Sequence, residues 1–265
     1  MSLWNSLLDR LGRWVASRAN DPRHAYEPYR ASRPDFVERI IEPGDVLLVE
    51  GGNSKIASAI KYLTQSTWSH AALYVGDDGA RDAEGNALTL VEAELGKGII
   101  TAPLAKYARY NTRICRPVGL TPADRTRLIA YARAQVGGRY DMGSVLDIIR
   151  YWVPNPPVPQ RFRRRMIALG AGQPTEAICS TLIARVFEHI RYPILPDMET
   201  IEAKDALGRA QRREILHIRD SALYTPRDFD VSPFFRIIKP TIEFGFDYKQ
   251  LEWSEEEQTS ENQPS

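Results

Sequence analysis

Cysteine is scarce in this chain: Cys115 and Cys179 are its only two among 265 residues. A disulfide framework is thereby excluded, and so is a zinc site built from several thiolates. Charge of one sign is lacking too. Lys and Arg number 35 against 34 Asp and Glu, a net charge of +1, so no global attraction to nucleic acid is expected. Long apolar runs are missing: no stretch approaches the roughly 20 residues of a membrane-spanning helix. The N-terminus lacks the continuous apolar run of a secretory signal, so a cytoplasmic protein is expected. What remains, 43% hydrophobic and 26% charged residues, is enough for a packed core.

Residues 3–18 read as an amphipathic helix. Leu3, Trp4, Leu7, Leu8, Leu11, Trp14 and Val15 recur at helical spacing, with Arg10, Arg13 and Arg18 mostly off that stripe. The stripe suits either docking on the domain or lying on an anionic membrane surface, which would make the protein peripheral on the inner membrane. Residues 20–39, with Pro22, Pro28 and Pro34, read as a linker.

The main domain opens with a Pro43-Gly44-Asp45 turn and the apolar run Val46-Leu47-Leu48-Val49, a short buried strand. A helix is expected from Asn53 or Ser54 through Leu63. Residues 70–75 and 88–94 alternate as strands, which places His70, Ala72 and Tyr74 on one face, and Leu90, Glu92 and Glu94 on another. Residues 112–118 form a further strand candidate. A helix with Thr121 as cap, Pro122 at its first position and a buried stripe of Leu128, Ile129, Ala132 and Val136 ends at Gly137-Gly138. Residues 144–152 predict another helix, followed by proline-rich residues 153–159 and the basic cluster Arg161, Arg163, Arg164 and Arg165. A helical pattern starts at Cys179. Residues 192–227 read as mixed and partly helical, 234–239 and 241–246 as late strands, and the acidic residues 252–265 as disordered. The order implies an α+β domain with a small antiparallel sheet packed with helices.

Acyl chemistry by a thiol needs an ionisable thiol, a base, and a polar group that orients the base. Cys179, at a helix start, lies where partial positive charge and free N–H groups favour a thiolate; packing is the plainer alternative, because free cysteine is often buried. His70, in Trp68-Ser69-His70, alone among four histidines begins a regular strand after a turn. Glu92, inside the apolar Val91-Glu92-Ala93 run, is a costly carboxylate unless partnered, and Glu94 shares its face. Cys115, mid-strand between Ile114 and Arg116, reads as a packing residue.

The ordered set Gly44-Asp45-Val46-Leu47, Trp68-Ser69-His70-Ala71-Ala72-Leu73-Tyr74-Val75-Gly76, Val91-Glu92-Ala93, Gly138-Arg139-Tyr140-Asp141 and Cys179-Ser180 resembles the YiiX/YebB-like branch of the NlpC-like cysteine hydrolases, and the N-terminal amphipathic helix with the run Leu47-Leu48-Val49-Glu50-Gly51 resembles its lipo-like bacterial subgroup. The resemblance covers roughly residues 40–190. It implies a circularly permuted papain-like fold, with lecithin–retinol acyltransferase-type enzymes as distant relatives. It further implies Cys179 as nucleophile, His70 as base, Glu92 as orienting residue in preference to Glu94, and Tyr140 as a group that touches substrate or oxyanion. No metal or organic cofactor is implied. The expected layout is an N-terminal helix (1–19), the linker (20–39), a catalytic domain (40–190) with an insert (142–174), a C-terminal extension packed on it (191–250) and the tail (251–265). The expected activity is hydrolysis or transfer of an acyl group through a Cys179 thioester. The substrate would be an amide of a peptide or muropeptide, or a lipid ester or amide; a non-catalytic membrane-associated binding module is the competing reading.

Overall fold

The computed structural model describes residues 33–51, 61, 66–94, 97–138, 176–204, 210–217, 221 and 224–251. Tyr140, the arginine cluster at 161–165, the N-terminal stripe over 3–18, the expected helix over 144–152 and the acidic tail lie outside the described residues.

The frame is a six-stranded antiparallel sheet. In chain order its strands are β1 (Val46–Glu50), β2 (His70–Tyr74), β3 (Leu88–Glu94), β4 (Gly98–Pro103), β5 (Asn111–Pro117) and, far downstream, Phe235–Ile238. The apolar run of β1 is explained by its place. It lies between β2 and β5, with all five residues buried, so neither face reaches water. The turn that feeds it needs glycine: Gly44 has φ +99°, and a Cβ there would meet the Leu120 side chain at 3.2 Å. Asp45, next in the chain, is buried and takes hydrogen bonds from Arg116 Nε (3.0 Å) and Nη2 (2.8 Å), which tie the start of β1 to β5.

Two cores lie on opposite faces of this sheet. One gathers Val46, Leu48, Ala71, Leu73, Val91 and Ala93 under helices α2 (Pro122–Ala134) and α3 (Glu176–His189). Helix α3 presses Leu182, Ile183, Val186 and Phe187 into it, each almost wholly buried, which stabilises by roughly 1.5–3 kcal/mol per side chain. The other core joins Leu47, Val49, Ala72, Leu90 and Ile114 to Val37 of helix α1 (Pro34–Ile40) and to Tyr107. Helix α2 has the expected start, with Thr121 accepting from the Asp124 N–H at 3.1 Å.

Several expectations are corrected. The linker drawn over 20–39 does not run to its end, because Pro34–Ile40 is helical: proline suits the first helical position, Asp35 the positive N-terminus, and Val37 is buried. Val136 lies beyond the end of α2 and is exposed, so Leu128 and Ala132 carry that helix's burial. Strand β4 was not anticipated; glycine and proline at its ends hid a short apolar centre. Within the segment read as mixed, Asp197–Lys204 (β6) and Ala210–His217 (β7) pair as an antiparallel hairpin. The helix of residues 241–246, expected as a strand, is a single turn, Pro240–Glu243, started by a proline that cannot donate to a ladder. Phe235–Ile238 becomes β8, paired to β5, so the C-terminal segment is built into the sheet as its edge strand.

Candidate active site

His70 is the first residue of β2, and the turn before it is pinned from both sides. The Trp68 indole donates to Asp230 at 3.0 Å, and Arg113 donates to the same carboxylate at 2.7 and 2.9 Å while lying 4.9 Å above the Trp68 ring. Ser69 accepts from the Gly51 N–H at 2.7 Å and donates its own N–H to Val49 at 3.1 Å. Register then pairs His70 with Val49, which fixes the face from which the imidazole projects.

Glu92 sits in β3 and is fully buried, an expensive position for a carboxylate without donors. It has three. His70 Nε2 donates to Oε2 at 2.9 Å, the Tyr107 hydroxyl donates to the same oxygen, and Lys106 Nζ donates to Oε1. The last two come from a 3-10 turn, Leu104–Tyr107, that begins where Pro103 ends β4. Glu94, two residues on, is partly exposed and bound by Lys97 (2.7 Å) and Lys106 (2.9 Å). Alternation puts both glutamates on one face, and it is Glu92 that meets the histidine. Lys106 and Tyr107 were not singled out by the sequence reading. The one signal for them was the need of a buried carboxylate for partners.

Cys179 lies in the first turn of α3, with 1% of its surface exposed. Its sulfur is within hydrogen-bonding reach of His70. Because Nε2 is engaged by Glu92, the nitrogen left for sulfur is Nδ1. The helix starts at Glu176, three residues before the start read from sequence, and its first turns are held by Ser180 Oγ donating to the Tyr224 carbonyl at 2.5 Å. Cys115 is also a free thiol, but it is shut inside β5. Burial first, and the Asp230 charge second, push its pKa up, so it stays protonated.

The electrostatics of the trio follow from these contacts. Burial disfavours the imidazolium of His70, but the hydrogen bond and charge of Cys179, joined by those of Glu92, outweigh it and lift His70 to about 10. Burial likewise opposes the Glu92 anion; His70 and then Lys106 overcome it and hold the carboxyl down at about 2. Tyr107 is pushed up by burial and by the neighbouring Glu92 charge, so it remains a neutral donor.

A depressed carboxyl makes stability depend on pH. The unfolded Glu92 titrates at its ordinary 4.5, the folded one at about 2. Its contribution, roughly 3 kcal/mol, is therefore fully present above pH 4.5 and lost as pH falls toward 2. Thermal melting across this range should show a steeper loss for the wild type than for Glu92→Gln, which has nothing to titrate there; parallel curves would refute the assignment.

A thiol, an imidazole and a carboxylate thus stand in one hydrogen-bonded line, met along the chain in the order His70, Glu92, Cys179, on an antiparallel sheet with the thiol at a helix start. That is the arrangement of a circularly permuted papain-like cysteine hydrolase. Residues 40–152 match the family of permuted papain-like amidase enzymes, YaeF/YiiX, C92 family, and over that span the chain is similar to this YiiX-like branch. The match takes in His70, Glu92, Lys106 and Tyr107 and stops short of Cys179. No curated protein matches the chain. Among the described residues, no helix is long and apolar enough to cross a membrane.

Proposed function

We propose that this protein hydrolyses an amide through a thioester on Cys179, with His70 as general acid and base and Glu92 holding the imidazole. The single observation that carries the proposal is the continuous line from the Cys179 sulfur through His70 to the buried Glu92. A binding module has no use for a fully buried anion served by three donors, one of them an imidazole that also reaches a thiol. The YaeF/YiiX family's description as amidases supports an amide as substrate.

In this reading His70 takes the thiol proton, and the thiolate attacks the carbonyl carbon. The oxyanion that forms is stabilised at the positive start of α3. Tyr140 is proposed to donate to substrate or oxyanion. Collapse breaks the C–N bond, and the departing amine takes the proton from His70 Nδ1. His70 then deprotonates a water that attacks the thioester; the acid leaves and the thiol is restored. Throughout, the Nε2–H bond to Glu92 keeps Nδ1 free for this traffic.

The test is acid-quenched mass analysis of the protein after brief exposure to whole-cell extract and to panels of peptides, muropeptides and N-acyl lipids. An acyl adduct on the peptide containing Cys179 is expected, and its mass identifies the substrate class. An adduct confined to Cys115, or none with any panel, would refute the proposal.

A further inference from the structure

Among the described residues, Lys106 is the one cation whose contact with Glu92 does not depend on the state of the reaction. Its ammonium bridges Glu92 Oε1 and Glu94 Oε2, and lies 5.3 Å from the centre of the Tyr107 ring. Among the described residues, the charged and titratable groups that face this site are His70 from β2, Glu92 and Glu94 from β3, Lys97 from the β3–β4 turn, Tyr107 from the 3-10 turn and Cys179 from α3. Two of the donors on Glu92 cannot secure its charge. Tyr107 is neutral and hydrogen-bonds to a carboxyl in either form. His70 is charged only until it delivers its proton to the leaving amine. At that moment a fully buried Glu92 would be an anion with no counter-charge, and burial would draw a proton onto it.

We infer that Lys106 is a positioning residue that keeps Glu92 ionised through the whole cycle, and so sets the charge balance of the His70–Cys179 pair. The inference rests on the catalytic reading above. Lys106 is placed on the carboxylates of Glu92 and Glu94 and acts through Glu92. Counted together, Glu92 and Glu94 are balanced by Lys106 and Lys97, which leaves the imidazole and thiol as a self-neutralising pair at the end of the sheet.

Removing the Lys106 charge has a defined sign. A nearby cation opposes protonation of Glu92 and His70, so without it both groups hold their protons to higher pH. The readout is the rate at which iodoacetamide alkylates Cys179, followed peptide by peptide so that Cys115 is not counted, in the full-length protein from acid to alkaline pH. The wild type should show an inflection near 10, where His70 loses its proton. In Lys106→Met this inflection should move upward by about one pH unit. Lys106→Arg, which keeps the charge, should return it to within a few tenths. A uniformly slower rate with the inflection unmoved would mean that Lys106 only packs, and would overturn the inference while leaving the catalytic reading intact. A wild-type profile whose inflection persists unchanged in His70→Ala would instead overturn the catalytic reading, and this inference with it. Thermal melting confirms that each variant is folded; Lys106→Gln takes the place of the methionine variant if that one is not.

Discussion

Cys179→Ala should abolish amide turnover, by more than about a thousandfold, while the protein melts within about 1 kcal/mol of the wild type. The two halves of this expectation have separate causes. Turnover is lost because alanine offers no electron pair to the carbonyl carbon, and water in its place gains nothing from the helix start. Stability is nearly kept because alanine fills most of the thiol's volume, and the first turns of α3 remain held by Ser180 on the Tyr224 carbonyl and by Leu182, Ile183 and Val186 in the core. Cys115→Ala should give the reverse. Its sulfur is packed inside β5 between β1 and β8, so truncation costs about 1–2 kcal/mol, but no reacting group is removed and turnover stays near the wild-type rate. Turnover measured alongside melting curves separates the two thiols. Surviving turnover in folded Cys179→Ala, or its loss in folded Cys115→Ala, would exchange their roles and refute the proposed nucleophile.

The parts of this fold that could be read in the sequence are those where one local rule acts alone. The run Val46–Val49 is uninterrupted because β1 is buried on both faces. Alternation over 70–75 and 88–94 marked β2 and β3, and the Thr121-Pro122-Asp124 punctuation marked the start of α2. Legibility failed where two signals conflicted. Pro34 reads as one more proline of a linker until its place at the first position of α1 is known. The hairpin of β6 and β7 carries no clean two-residue period: β7 runs Gln211-Arg212-Arg213-Glu214 and then Ile215-Leu216, so alternation did not mark it as a strand. At the site, residue types and order were enough to nominate His70, Glu92 and Cys179, but a two-residue period cannot choose between Glu92 and Glu94. The choice is made by pairing: β2 and β3 align Leu73 with Val91 and Tyr74 with Leu90, and Tyr107 and Lys106 close on Glu92 from the turn after Pro103. Such partners are a property of how the chain returns after β4. A single sequence carries no spacing rule for it.

His70→Ala should lower the rate of Cys179 alkylation near neutral pH and reduce turnover about a hundred- to ten-thousandfold, the range that a positioned acid–base group supplies. Free imidazole should restore part of both. The reasoning starts from what the ring leaves behind. Its side chain is about one-fifth exposed, at the end of the sheet, so the space it vacates opens to solvent and a small base can enter. The walls of that space are the groups that held the original ring: Glu92 Oε2, which loses its 2.9 Å hydrogen bond, the Tyr107 ring 5.8 Å away, and the Cys179 sulfur. A rebound imidazole that donates one N–H to Glu92 presents its other nitrogen to sulfur, which is the tautomer the reaction requires. Rescue should therefore saturate with imidazole concentration, follow the neutral form of the base, and disappear in His70→Ala/Glu92→Gln, where the amide cannot impose that orientation. N-methylimidazole, which has no N–H to donate to Glu92, should rescue poorly. If His70→Ala keeps its full turnover and alkylation rate, or if both imidazoles rescue equally well in the presence and absence of Glu92, then the carboxylate does not orient the base and the line from Cys179 to Glu92 is structural.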